Sequence, residues 1–558
     1  MKKLLVLYAI LFPVYPVLFL YSYNNGYLSL GELFAPLALT LCGAGMLLGL
    51  LRLISRKLDT AAALTAFWGL WFFSYGHLLG GEEFLQGRLL EIINRFAIWI
   101  WLVVWALGTL LILRLRGRLP NARAALFTVA VALVAQCGVK IALFEMEGAR
   151  IADLPRPQTA AAAHAPRQEK PFEFSFRSPA AGAAPNRKSA HNDPDIYYII
   201  LDGYARPDVF QELYGESNQA FVNFLQKKGF IIAGESHANY CFTYLSLASS
   251  LNMCYLDELG KALGKESDNQ WPAIAMLKEN DLCKLLHSRG YKIISTGAEA
   301  FADIHGKKTA DSAVEVARPN PAFSTVLLDF TPLRLLVHKN PGDVSNEVDH
   351  ALYASRRAEI FSFFDKIRAV PQTSSPRFVL AHLLAPHPPL VLKRDGSPLP
   401  QTIPYKFNDS VQGFGNTRLT QNEYISRYRE QYFFVTSRIE AVINQLLAQK
   451  TSRPRIIILQ SDHGPAAFYN WNNARAGYPR ERMSILNAFY FSSPNHPQIY
   501  PSQTPVNTFR IICNYYFKTS YPRLPDKSYM TNALTPYDFI EVTGKNGKLP
   551  ADKLPHPE

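Results

Sequence analysis

The sequence predicts a two-part protein: a bundle of five transmembrane helices, then an α/β/α domain with a mainly parallel central sheet. Three observations lead there. Apolar runs of membrane-spanning length crowd about the first 145 residues. An Ala- and Pro-rich stretch follows. Beyond it, short apolar strand-like runs alternate with amphipathic helical ones. A chain of 558 residues is also too long for one ordinary domain.

The apolar runs are 4–23, 33–54, 60–79, 95–114 and 124–144. Each is near the ~20 residues needed to cross ~30 Å of hydrocarbon. The first is no cleaved signal peptide, since no small-residue cleavage site follows it and four more runs do. Positive charge alternates between loops. Lys2 and Lys3 precede the first run, Arg52, Arg56 and Lys57 follow the second, and Arg114, Arg116, Arg118 and Arg123 follow the fourth. The positive-inside rule puts the N-terminus in the cytoplasm and everything after the fifth run outside. Trp68, Trp71, Trp99, Trp101 and Trp105 suit either an interfacial belt or helix packing.

Residues 1–146 are therefore read as the transmembrane domain, 147–193 as a linker, 194–540 as the extracytoplasmic domain and 541–558 as a tail. The linker contains LPRPQTAAAAHAPRQEK, which has no sustained period and reads as a tether, with His164 and His191 as solvated bystanders. The formal net charge of +13 suits anionic lipid. No zinc-finger spacing and no basic helix interleaved with aromatics is present, so nucleic acid is not an expected partner. Cys241, Cys254, Cys283 and Cys513 lie in the outside part and could form up to two disulfides there. No C-x-x-C occurs, which argues against a structural zinc site.

In the second part the expected strands are 195–203, 291–297, 377–384, 455–462 and 487–491. The stretches QAFVNFLQKKG, AMLKENDLCKLLHSRG and REQYFFVTSRIEAVINQLLAQK read as helices. Parallel sheets bind ligands beyond the carboxyl ends of their strands. Three strand ends carry candidates. IILDGY ends on Asp202, RIIILQSDHGP ends on Asp462 and His463, and FVLAHLLAPHPPL carries His382 and then His387. Asp and His both bind divalent metals. Between them, Thr243 and Ser246 stand three residues apart in CFTYLSLASS. A metal held by Asp202, Asp462 and His463 could bind the Thr243 oxygen and lower its pKa. The competing reading makes Thr243 an ordinary N-cap. His382, inside its strand, equally suits a packed core histidine.

This order of a strand-end acid, T-x-x-S, a PHPP segment and SDHG resembles the alkaline phosphatase and sulfatase superfamily. With the spans and tether it is similar to the membrane-anchored lipoteichoic acid synthases and lipid A phosphoethanolamine transferases. The resemblance implies a sulfatase-like α/β/α domain over 194–540. It implies that Asp202, Asp462, His463 and Thr243 hold one divalent metal ion, Mn2+ or Zn2+. Thr243 would be the nucleophile that takes a phospho-group covalently, and His387, with His382 as second choice, would bind substrate. The formylglycine sulfatases require C/S-x-P/A-x-R. Here Cys241 is followed by FTYL, so that signal is missing. The phosphoethanolamine transferases have a histidine shortly after the Asp-His pair. The stretch GPAAFYNWNNARAGYPRERM has none, and Arg475, Arg480 and Arg482, Arg482 foremost, are the candidates to meet a phosphate instead.

The function implied is transfer of a phospho-headgroup, phosphoglycerol or phosphoethanolamine, from a membrane phospholipid to a glycan or lipid acceptor of the bacterial cell envelope. It would take place at the outer face of the inner membrane. The alternatives are a hydrolase with the same nucleophile and water as acceptor, and a catalytically inactive polysaccharide-binding module. Headgroup, acceptor and oligomeric state are not legible.

Overall fold

The structure is a computed structural model. It describes residues 4–23, 30–76, 88–152, 193–297, 312–313, 327–328, 330–333, 347–403, 419–470 and 473–544. Lys2, Lys3, most of the linker with His164 and His191, and most of the tail lie outside the described residues. The chain forms two compact units. One is Met1–Ala149 with Pro319–Val348, and the other is Arg150–Arg318 with Asp349–Glu558.

The first unit contains helices α1 (Tyr8–Tyr23), α2 (Leu30–Ser55), α3 (Leu58–Phe72), α4 (Arg88–Arg114) and α5 (Leu119–Ala152). Among the described residues, three stretches are long and apolar enough to cross a membrane: Leu33–Ser55, Phe96–Arg114 and Leu119–Leu143. That is three rather than the five expected. α1 has 16 residues and α3 has 15, which at 1.5 Å per residue gives only about 22–24 Å.

The two kinds of helix differ in what they face. α1 buries Tyr8, Ala9, Phe12, Val14, Val17 and Tyr21, and α3 buries Ala61, Ala62, Ala63, Leu64 and Ala66. The long helices instead expose large apolar side chains, such as Leu39, Met46 and Leu53 on α2 and Trp99, Leu107 and Leu110 on α4. Such a belt is what hydrocarbon covers. Small residues let the inner helices approach closely. A Cβ on Gly69 would stand 2.3 Å from Pro13 Cγ, and one on Gly108 would stand 2.3 Å from Phe67 Cζ. The tryptophans divide the same way. Trp71 and Trp101 each donate an indole N–H to the other's carbonyl at 3.2 Å, and Trp68 donates to Thr109 Oγ1 at 3.0 Å. Trp99 is exposed.

The second unit is built on a seven-stranded sheet of order β2-β7-β6-β1-β5-β3-β4. Its strands are β1 (Asp195–Leu201), β2 (Ile231–Ile232), β3 (Lys292–Gly297), β4 (Ser312–Ala313), β5 (Arg377–Leu383), β6 (Arg455–Ser461) and β7 (Asn487–Phe491). The pairs β6-β1, β1-β5, β5-β3 and β3-β4 are parallel, and β7 runs antiparallel to both its neighbours. The five expected strands are all present. β2 and β4 are two-residue edge strands, too short to show a period.

Alternate residues of each central strand enter opposite cores, as burial on both faces requires. Ile196, Tyr198 and Ile200 join Ile456 and Ile458 on one side. Tyr197, Ile199 and Leu201 join Ile457 and Leu459 on the other. The first core is covered by α6 (Thr243–Asn252), α7 (Trp271–Lys278), α8 (Asp281–Ser288) and α9 (Pro505–Phe517). The second is covered by helices Pro207–Tyr214, Glu347–Arg368 and Gln421–Ala448. The single helix expected over AMLKENDLCKLLHSRG is two, because Asn280 caps α8 by accepting from Cys283 N at 2.9 Å. Parallel register sets Leu201 beside both Ser461 and Leu383. Asp202 and Asp462, one residue on, therefore leave the sheet at the same level.

All six cysteines are free, so the expected disulfides among Cys241, Cys254, Cys283 and Cys513 are not formed. The four stand on different parts of the chain and are each buried. Cys241, Cys283 and Cys513 fill one core as small apolar groups.

Candidate active site and metal centre

The β1 and β6 ends are tied together before any functional group is placed. Ser461 Oγ donates to Leu201 O (2.9 Å) and accepts from Tyr204 N (2.9 Å). Gly203 takes φ +67°, the left-handed region. It turns the chain so that Gly203 N donates to Asp462 Oδ1 at 3.1 Å. His463 N donates to the same oxygen at 2.9 Å. Ser246, one turn into α6, donates to Asp462 O at 2.8 Å. Thus the serine of T-x-x-S fixes the Asp462 backbone. Gly464 is required by space, since a Cβ there would lie 2.0 Å from Glu481 O.

Asp202, Asp462 and His463 converge, each offering a ligand atom within 4.8 Å of the others, and all are buried. Asp202 Oδ1 and Asp462 Oδ2 are buried without a hydrogen bond. His463 Nδ1 donates to Gly464 O at 3.0 Å. That assigns the lone pair to Nε2, the nitrogen facing the carboxylates: Asp462 Oδ2 lies at 3.3 Å and Asp202 Oδ1 at 3.8 Å. Burial and nearby Arg482 hold the imidazole neutral, well below its usual range.

The two carboxylates are pushed apart in acidity. Burial and the Asp202 charge raise Asp462. Burial opposes ionising Asp202 too, but His387 and the hydrogen bond from His382 outweigh it and lower its pKa. Two carboxylates at this spacing repel by roughly 3–4 kcal/mol at an effective dielectric of about 20. A divalent cation removes that cost, and the oxygens left without hydrogen bonds match the valences it needs.

Thr243 is the first residue of α6, and Phe242 precedes it as the N-cap. The threonine side chain does not cap the helix. Its Oγ1 lies 3.0 Å from His463 Nε2 and 3.4 Å from Asp202 Oδ2. The N-cap reading is thereby corrected: the hydroxyl faces the acid-histidine group. A helix N-terminus behind it favours an anion.

The remaining candidates divide. His382 is fully buried in β5, with Nε2 3.1 Å from Asp202 Oδ2; it lies against the carboxylate from within the sheet. His387 N donates to Asp202 O (3.0 Å), its Nδ1 donates to Pro388 O (2.6 Å), and its ring lies 6.4 Å from that of His463. Arg482 is buried: Nε donates to Cys241 O (2.8 Å), Nη1 to Gly464 O (2.8 Å), and Nη2 lies 3.2 Å from His463 Nε2. Arg480 instead pairs with Glu212 at 2.7 Å and Asp208 at 3.4 Å. Arg475 is exposed. Cys241 is fully buried against Tyr469.

No curated protein sequence matches the chain. Solved structures similar to it include the C-terminal periplasmic domain of EptC from Escherichia coli, in complex with Zn. That match has 11% identity, covers 66% of this chain and 96% of that one, and has a TM-score of 0.41. The lipooligosaccharide phosphoethanolamine transferase EptA from Neisseria meningitidis has 12% identity, 88% coverage of each chain and a TM-score of 0.34. BT1596, a 2-O GAG sulfatase, has 12% identity, covers 61% and 73%, and has a TM-score of 0.34. The sulfatase family model matches residues 194–512. That is more than half of the chain, and the protein belongs to the sulfatase family as one of its enzymes.

Proposed function

We propose that the protein is a metal-dependent, membrane-bound phospho-headgroup transferase acting through a phospho-threonine at Thr243. The observation that carries this reading is the Thr243 hydroxyl, at a helix N-terminus, beside two buried carboxylate oxygens without hydrogen bonds and the His463 lone pair. Asp202, Asp462, His463 and Thr243 would hold one divalent ion, Mn2+ or Zn2+. Such an ion lowers the pKa of a hydroxyl and neutralises charge on a phosphoryl oxygen.

The residues then divide the work. Thr243 Oγ1 forms a bond to phosphorus, and the bond from phosphorus to the diacylglycerol oxygen breaks. The phosphodiester becomes a headgroup-phosphothreonine, and diacylglycerol leaves with a proton. An acceptor hydroxyl then bonds to phosphorus, and Thr243 is freed. The α6 N-terminus and Arg482 Nη2 favour the phosphoryl oxygens. His387 contacts the substrate, and His382 holds Asp202 in its orientation.

Membrane attachment supports a lipid donor. With the five crossings that the sequence predicts, an N-terminus held inside by the positive loops leaves the catalytic unit outside. The donor is then phosphatidylglycerol or phosphatidylethanolamine, and the acceptor is a glycan or lipid of the envelope. Full-length protein in vesicles with headgroup-labelled donors should release diacylglycerol and carry label to an added envelope glycolipid or glycan. Label appearing only as free headgroup phosphate would favour the hydrolase. No diacylglycerol from either donor, with metal present, would refute lipid-headgroup chemistry.

A further inference from the structure

Pro319–Val348 runs in sequence from beyond β4 into the start of the helix Glu347–Arg368, inside the region that builds the catalytic sheet. In space it belongs to the helical unit. Leu327 packs against buried Val17, Tyr21 and Leu33, beside Phe73 and Ile141. Gly76 N donates to Phe330 O at 3.1 Å. Thr331 closes the turn, with Oγ1 donating to Leu328 O (2.8 Å) and accepting from Leu333 N (3.2 Å).

The residues it touches share one end of the bundle. They stand near the C-terminal ends of α1, α3 and α5 and the N-terminal end of α2. In an up-and-down bundle these ends lie on one side of the membrane, the side on which α5 leads to the linker. Leu333 at that end is exposed, and Arg334, His338 and Lys339 follow it in sequence. Apolar and basic residues so mixed are the chemistry of a lipid headgroup region.

We propose that this segment is a second membrane attachment. The chain leaves the catalytic sheet, docks on the outer end of the helix bundle at the lipid surface, and returns. The catalytic unit is then joined to the membrane unit by three chain crossings, at 149/150, 318/319 and 348/349. A tether of the 153–192 length alone would allow a reach of roughly 35 Å. Two further crossings shorten it and raise the local concentration of membrane substrates. This docking does not depend on the headgroup-transfer reading, because its readout is attachment and not turnover.

The test uses the full-length protein in membranes with a protease site inserted between residues 160 and 185. After cleavage and a high-salt wash, the C-terminal fragment should stay with the membrane. Leu327→Asp with Phe330→Asp should release most of it. Independently of folding in that variant, Gly76→Cys paired with Phe330→Cys should couple the two fragments into one non-reducing band. Release of the unmodified fragment by salt, or failure of the cysteine pair to couple, would overturn the proposal.

Discussion

The two ends of the same three strands treat buried charge in opposite ways. Where β1 and β5 begin, Asp195 faces Arg377, both buried. Asp195 Oδ1 accepts from Arg377 N at 3.2 Å, and Oδ2 accepts from Arg377 Nε at 3.0 Å. Both carboxylate oxygens have partners. Where β1 and β6 end, Asp202 and Asp462 are fully buried, yet each keeps one oxygen without a hydrogen bond. No arginine pairs with either carboxylate there among the described residues. A buried charge that the chain satisfies by itself is architecture. Two facing carboxylates each left with one open oxygen are, on the proposed reading, satisfied by a bound cation.

Breaking each end should therefore fail differently. The largest effect is expected from Thr243→Ala, which should cut turnover by at least about a thousand-fold. It should leave stability within about 1 kcal/mol, since the side chain caps nothing; a melting curve beside the rate assay checks both. Asp195→Ala should do the reverse. It leaves Arg377 buried without its carboxylate and should cost about 3–5 kcal/mol of stability, with metal affinity unchanged in the protein that remains folded.

Metal titration sharpens the contrast. At a hundred times its Kd, a divalent ion should stabilise the unmodified protein by about 2.7 kcal/mol, and a chelator should abolish that gain. Asp462→Asn should show no gain. In chelator it should melt no lower than the unmodified protein, because it loses a like-charge contact and keeps an acceptor for Gly203 N and His463 N. His382→Ala, which acts through Asp202, should weaken metal binding about 10–100-fold, read by isothermal titration. The smallest change is expected at Arg480→Ala, a partly exposed pair with Glu212, at under about 1 kcal/mol and with normal turnover. Arg480 and Arg482 are two residues apart, so a large loss at Arg480 would break the distinction drawn between them.

Much of this was legible in the sequence for a physical reason. Central parallel strands are buried on both faces and read as unbroken apolar runs, so the residues just beyond them, Asp202, Asp462 and His463, stand out. T-x-x-S marked Thr243, but not that Ser246 would grip the Asp462 carbonyl. The three arginines after SDHG are alike in one dimension. Only the fold separates Arg482 beneath His463 from Arg480 on its acid partners and Arg475 in solvent. Apolar run length alone does not separate α1 and α3, whose apolar residues bury against neighbouring helices, from the long helices that expose theirs. Cysteine count could not show that Cys283 and Cys513 are core filling. The return of Leu327 and Phe330 to the helix bundle is a long-range contact with no local signature.

The central claim is that the open valences at the β1 and β6 ends serve the Thr243 hydroxyl. The most direct test is intact-mass spectrometry of full-length protein after incubation with headgroup-labelled phosphatidylglycerol or phosphatidylethanolamine, followed by peptide mapping. A metal-dependent adduct of one phospho-headgroup should appear on Thr243, and it should vanish in Thr243→Ala and in Asp462→Asn. An adduct on another residue, or one that forms equally in chelator, would contradict the account.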